Sequence, residues 1–282
     1  MELLRTPAAM RAWADARRAE GARIGLVPTM GYLHDGHVSL VRVAKGAGSE
    51  AVAATIFVNP TQFGPGEDFE KYPRDEARDL AMLDAAGVDA VYLPGVGDMY
   101  PEGHRTFVEV TGVSQGLCRA ARPGHFRGVA TVVAKLFLAA KPHVAVFGEK
   151  DCQQLAVIRA MNRDLDFGIE IVGAPIVREE DGLAKSSRNV YLKGDDRIAA
   201  RCLSRGLFRA KELFGKGERD AGTLVAAAGA AIDGEPLAKL EYAEGRDPVA
   251  LTPLSGRVDA VTILVAAKVG PTRLIDNITL GN

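Results

Sequence analysis

The chain has 282 residues, nearly half of them apolar, and its 35 Lys and Arg against 36 Asp and Glu leave a formal charge of −1. That length allows a sizeable core and two modest domains, while the near-zero charge supplies no global drive toward nucleic acid, whose phosphates are bound by clustered cations. No apolar run approaches the roughly 20 residues of a membrane-spanning helix, and the three cysteines, Cys118, Cys152 and Cys202, are too scattered and odd in number for a disulfide framework or a Cys-based zinc site.

The first residues, Met1-Glu2-Leu3-Leu4-Arg5-Thr6-Pro7, lack the basic start and apolar core of a secretory signal, so a soluble cytoplasmic protein with no membrane partner is expected. Strands are predicted at Ile24–Val27, Val52–Val58, Ala90–Leu93, Val144–Phe147 and Ile169–Ile176. Helical patterns at about 7–19, 37–47, 74–86, 127–140 and 151–164 alternate with them, and Pro or Gly marks most borders. This alternation predicts an α/β fold: a doubly wound, Rossmann-like parallel sheet over residues 1–176. From about residue 177 the pattern becomes an irregular loop, a long helix Asp195–Phe214, an Ala-rich helix from about Ala221 to Ile232, and strands Leu240–Ala243 and Val258–Ala267. A smaller C-terminal α+β domain over 177–282 is expected. Residues 201–219 carry several Lys and Arg, but Glu212, Glu218 and the apolar Leu203, Leu207, Phe208, Leu213 and Phe214 make them an amphipathic helix with a solvated basic face, not a nucleic-acid site.

In doubly wound sheets ligands sit beyond the carboxyl ends of the strands. His34 and His37 follow the first predicted strand, Asn59 and Gln62 the second, and Gly148 to Asp151 another. A strand that breaks at Pro28-Thr29-Met30-Gly31 and resumes as a helix near His37 aims backbone N–H groups and a helix dipole at an anion, for which phosphate is the natural guest. Gly36 lets the backbone come close, Asp35 is a candidate N-cap, and two imidazoles three residues apart can share a helix face. Taken alone, the segment also reads as an ordinary loop with surface histidines. A second segment, Lys185-Ser186-Ser187-Arg188-Asn189, follows the turn Asp181-Gly182 and places two cations and two hydroxyls within four positions, the composition of a mobile phosphate clamp.

An early His-x-Gly-His element with a late basic, serine-bearing loop resembles the class I aminoacyl-tRNA synthetase and nucleotidyltransferase superfamily, in which both elements bind one ATP. Pro28 to His37, Ile56 to Phe63, Arg122 to Thr131, Phe147 to Asp151 and Lys185 to Asn189, in that order, resemble the pantothenate synthetase family over about residues 28 to 190. The resemblance implies that ATP, with Mg2+, activates pantoate as an acyl adenylate with loss of pyrophosphate. The acyl group then passes to the amine of β-alanine, in a homodimeric enzyme. It implies Met30, His34, Gly36, His37, Gly148, Glu149, Lys150, Asp151, Val177, Lys185, Ser186, Ser187 and Arg188 around ATP, with His37, Lys150, Ser187 and Arg188 catalytic. Met30, Gln62 and Gln154 are implied at pantoate and β-alanine.

The chemistry suits such residues. A carboxylate, ionised at neutral pH with a pKa near ~4, attacks the α-phosphorus unaided, so the protein mainly positions it and neutralises charge growing on phosphate oxygens. Amide side chains, which both donate and accept, suit a small hydroxy acid. Magnesium takes few carboxylates and several waters; Asp75, Asp79 and Asp151 are candidates and none is assigned. Lys185 stands where the resembled family often has an apolar residue, which leaves open whether Lys185 or Arg188 is the main clamp. Gly124-His125-Phe126 reads as structural or dimer-related as much as catalytic, so His125 stays outside the expected site. Another adenylyl- or cytidylyltransferase would need basic residues for a phosphate-bearing acceptor, whereas Asn59-Pro60-Thr61-Gln62-Phe63 is neutral. A non-catalytic nucleotide-binding module would need only the Gly turns and the helix N-terminus.

Overall fold

The computed structural model describes residues 1–118 and 122–281. Its contacts divide the chain into two compact units, Met1–Glu149 with Val157–Pro175, and Lys150–Ala156 with Ile176–Asn282.

The first unit is a six-stranded parallel sheet of β1 (Glu2–Leu4), β2 (Ile24–Thr29), β3 (Ala51–Ile56), β4 (Ala90–Tyr92), β5 (Val144–Gly148) and β6 (Glu170–Ala174), in the order β1-β4-β3-β2-β5-β6. Its central strands are apolar runs without alternation, as strands covered on both faces require. The order reverses between β2 and β5. β2 stays paired with β3 as far as Thr29 but meets β5 only at Gly25 and Leu26. Pro28 has no N–H to offer a second neighbour, and the two strands part toward their carboxyl ends, at the switch point where such sheets bind ligands. Helix Asp35–Gly46 follows β2 and sends Leu40, Val41 and Ala44 into a core with Val27, Val52, Leu83, Val144 and Val146. The fold class is the doubly wound α/β type expected, with one addition. β1 escaped the sequence reading because three residues at a sheet edge carry too little periodicity, and its pairing with β4 depends on a strand some 88 residues away.

The second unit contains an antiparallel sheet of β7 (Ala238–Arg246), β8 (Val261–Val269) and β9 (Thr272–Leu280). Helices Cys202–Gly215 and Ala221–Asp233 bury Leu203, Leu207, Leu224 and Ile232 against Ile263, Val265 and Val269. A Cβ at Gly206 would lie 2.3 Å from the Ala228 carbonyl oxygen, so only glycine allows these two helices to approach so closely. The helix expected over Asp195–Phe214 is two helices, Gly194–Ala199 and Cys202–Gly215. The chain turns at Ala200 and Arg201, and the turn buries Ala199, Ala200, Cys202 and Leu203 together in one core. The expectation also missed β9, whose central Asp276-Asn277 reads as turn composition.

Candidate active site

In the first unit the site begins at the end of β2. Gly31 has φ +84 and Tyr32 φ 51, so the chain reverses through left-handed backbone that glycine adopts at little cost. The Tyr32 and Leu33 N–H groups both donate to the Asp79 carboxylate, at 2.6 and 2.7 Å. Asp79 is 1 % exposed, and burial pushes its carboxyl above the ordinary value although these hydrogen bonds pull it down. With each oxygen accepting a backbone N–H, Asp79 shapes the turn. Asp75 likewise caps its helix, accepting from the Arg78 N–H at 3.1 Å.

His34, not Asp35, is the N-cap of helix Asp35–Gly46. Its Nδ1 accepts the Gly36 N–H at 3.1 Å, and His37 Nδ1 accepts the His34 N–H at 3.2 Å. The two imidazoles thus close a reciprocal capping box, a role usually taken by Ser or Thr with Glu. Asp35 lies in the first turn, where its charge still favours the helix dipole. The caps also fix proton positions: a neutral ring that accepts at Nδ1 carries its hydrogen on Nε2. Both rings, 4.1 Å apart between centroids, lie beside the helix N-terminus.

The turn after β3 presents Gln62. Asn59, 1 % exposed, donates from Nδ2 to Gln62 Oε1 at 3.0 Å and to the Gly128 carbonyl at 3.2 Å, while its Oδ1 accepts from Thr61 and from the Tyr100 hydroxyl at 2.8 Å. The Gln62 amide is therefore oriented with Nε2 as its donor, which reaches Met30 Sδ at 3.2 Å. Two residues hold the Gln62 carbonyl: His125 Nδ1 at 2.8 Å and Arg122 at 3.1 Å. Arg122 also pairs with Glu67 at 2.6 Å. Burial opposes charge on Glu67, but the Arg122 hydrogen bonds and charge outweigh it and hold the carboxyl below its ordinary value. Asn59 was expected only at the ligand edge of its strand, and Arg122 and His125 were not expected as site residues. Their signal lay in their presence within the matched blocks, and its meaning depended on contacts over 60 residues of sequence.

Gly148 ends β5 with open space where a Cβ would stand, and Glu149 begins the 3-10 turn Glu149–Asp151. Lys150 opens the Lys150–Ala156 segment of the second unit. Its ammonium is 3.9 Å from Asp151, and its carbonyl accepts from Asn277 Nδ2 at 2.9 Å. Gln153 is buried whereas Gln154 is half-buried. The Lys185 N–H bonds the Val177 carbonyl at 2.9 Å, so these two residues close a hairpin, and the Lys185 ammonium lies 3.5 Å from Glu179. Ser186 caps the short 3-10 turn Ser187–Tyr191, accepting the Arg188 N–H at 3.3 Å, and Asn189 ties that turn to the Ala184 carbonyl. Ser187 is 8 % exposed.

Among the described residues no three His, Cys, Asp or Glu side chains gather as a metal cage, and no helix is long and apolar enough to cross a membrane. A parallel sheet whose switch point carries two imidazole donors and a helix N-terminus defines an α/β nucleotide-binding enzyme. The family model for pantoate-beta-alanine ligase matches residues 2–279. A pantothenate synthetase of Anaeromyxobacter dehalogenans is 55 % identical over 282 residues, 98 % of this chain and 97 % of that protein. The crystal structure of a pantothenate synthetase from Thermus thermophilus matches with TM-score 0.93 and 47 % identity over 99 % of both chains. That of a Francisella tularensis pantoate-beta-alanine ligase, complexed with beta-gamma ATP and beta-alanine, matches with TM-score 0.80 and 31 % identity over 99 % of this chain and 97 % of that one. The chain belongs to the pantoate-beta-alanine ligase family.

Proposed function

We propose that this protein joins pantoate to β-alanine at the expense of ATP, giving pantothenate, AMP and pyrophosphate through a pantoyl adenylate. In the first step a pantoate carboxylate oxygen bonds to the α-phosphorus, the bond from that phosphorus to the bridging oxygen breaks, and pyrophosphate leaves with its electron pair. In the second the β-alanine amine attacks the acyl carbon, loses a proton, and AMP departs.

The observation that carries this reading is the reciprocal imidazole cap, which places two histidine rings, each accepting a backbone N–H at Nδ1, at a helix N-terminus suited to phosphate oxygens. His34 and His37 donate to the phosphates, His37 with the catalytic share as charge grows, next to the backbone of Gly36. Lys150 neutralises the α-phosphate, with Gly148, Glu149 and Asp151 shaping its turn. Lys185, Ser186, Ser187 and Arg188 bind phosphate from the basic loop, where the Lys185 ammonium also lies 3.5 Å from Glu179. Val177 contacts adenine. Gln62, oriented by Asn59, and Gln154 bind pantoate, and Met30 contacts the substrates. Magnesium would enter with ATP, held by phosphate oxygens, waters and at most a few carboxylates. The enzyme works as a cytoplasmic homodimer without nucleic acid or membrane partners.

Incubation with ATP, Mg2+ and pantoate tests the reaction: pyrophosphate release should require pantoate, and AMP should accumulate with pantothenate once β-alanine is added. Production of ADP instead would overturn it.

A further inference from the structure

β9 carries two adjacent polar residues in its middle, Asp276 and Asn277, both buried at 3 and 6 % exposure. Successive strand residues point to opposite faces, so buried polar groups here need partners on both sides. Asp276 receives the Arg178 guanidinium in a two-pronged bond of 2.7 and 3.0 Å. Arg178 also donates to the Gly182 carbonyl at 3.0 Å and lies 5.1 Å from the centre of the Phe208 ring. Burial pushes the Asp276 carboxyl above its ordinary value, while Arg178 and the charge of Lys150 act in the opposite sense. Asn277, on the other side, donates from Nδ2 to the Lys150 carbonyl at 2.9 Å.

Arg178 belongs to the hairpin that delivers the basic loop. It bridges Ala184, the Glu179 N–H bonds the Leu183 carbonyl at 2.8 Å, and the Lys185 N–H bonds the Val177 carbonyl at 2.9 Å. Two segments distant in sequence, the Lys150 turn and the hairpin leading to Ser186–Arg188, are thus fastened to neighbouring residues of one strand. We propose that Asp276 and Asn277 are positioning residues for the adenylation step, Asn277 fixing the backbone from which Lys150 reaches phosphate and Asp276 fixing, through Arg178, the hairpin that presents the basic loop. The physical basis is preorganisation. A flexible lysine stabilises developing charge only if its backbone is held, and misplacement by about 1 Å can cost up to 10²-fold in rate. A fork-to-fork Arg–carboxylate bond sets orientation as well as attraction. The inference rests on the assignment of Lys150 to ATP phosphate made above.

The test uses the full-length protein in a double-mutant cycle, with single-turnover adenylate formation, pantoate affinity and thermal unfolding measured for Asn277→Ala, Lys150→Ala and the double variant. Asn277→Asp, the same size but without the donor, is the second probe should the alanine variant fold poorly. Asn277→Ala or Asn277→Asp is expected to slow adenylation about tenfold, the scale of one lost hydrogen bond, with pantoate affinity within twofold. In the Lys150→Ala background the same change should cost less than twofold, because Asn277 acts through that lysine. A full tenfold cost in both backgrounds, or none in the wild type, overturns the proposal while leaving the role of Lys150 standing. A near-normal rate for Lys150→Ala alone instead overturns the phosphate assignment, and this inference with it.

Discussion

Gly128 sits in helix His125–Ala140 against the turn that carries Gln62. A Cβ at this position would lie 2.3 Å from the Thr61 carbonyl oxygen, 2.5 Å from its carbon and 2.7 Å from the Gln62 nitrogen. All three are backbone atoms and cannot swing aside. In Gly128→Ala the helix and turn must separate by about 0.7 Å or more before the contact is tolerable, and such overpacking costs about 1–3 kcal/mol. Replacing a mid-helix glycine by alanine returns roughly 0.5–1 kcal/mol. The net loss, about 0–2.5 kcal/mol, lowers the melting temperature by several degrees at most in a chain of this size. The effect on the site is larger, because the Asn59 amide bridges the Gly128 carbonyl and Gln62 Oε1, and the same separation disturbs both bonds. Pantoate affinity should fall about tenfold or more, with ATP affinity unchanged, since displacing a binding group by nearly 1 Å sacrifices at least one hydrogen bond of ~1–1.5 kcal/mol. Calorimetric titration with each ligand, alongside scanning calorimetry, measures both quantities. Gly46→Ala serves as control: that glycine is also helical, nothing lies within 4 Å of its would-be Cβ, and pantoate binding should be untouched. Wild-type pantoate affinity in Gly128→Ala, within twofold, would refute the argument that this close approach sets the position of Gln62.

Three other outcomes are expected. His37→Asn keeps an acceptor for the His34 N–H but removes the distal donor. Adenylate formation should then fall roughly 10²–10³-fold with little change in melting temperature, and a near-normal single-turnover rate would count against any use of Nε2. Gln62→Ala should weaken pantoate roughly tenfold to a hundredfold while ATP binds as before; equal loss of both ligands in titrations would mean that the turn, not the amide, was damaged. His143 accepts the Ile24 N–H at Nδ1, and burial, with Arg18 and Arg23, holds its ring below the ordinary 6.5. Its folded value being the lower one, stability should be complete above about 6.5 and decline as pH falls from there through the folded value, where the unfolded chain binds more protons. His143→Asn retains an acceptor and cannot titrate, so urea midpoints should show a shallower decline, and an unchanged slope below pH 6.5 would remove His143 as its source.

Local composition determined much of this protein. β2, β3 and β5 are legible as apolar runs ended by Pro, Asn or Gly, and the helices after them as amphipathic stretches. The blocks around His34, Gln62, Lys150 and Arg188 are contiguous, so each candidate side chain is legible together with the turn that carries it. Tertiary structure alone decided what holds those side chains. His34 displaces Asp35 as the helix cap because its ring can meet His37 across one helical turn, a choice that propensity leaves open. Asp79 holds the backbone of residues 32 and 33 because folding brings it across 46 residues of sequence. Asn277 and Arg178 reach partners 127 and 98 positions away, so Asp276-Asn277 reads as a turn in the sequence and becomes the buried middle of a strand. Hydrogen bonds of buried polar groups are satisfied by whatever the fold places beside them, and that proximity is a property of the whole chain, which no local window contains.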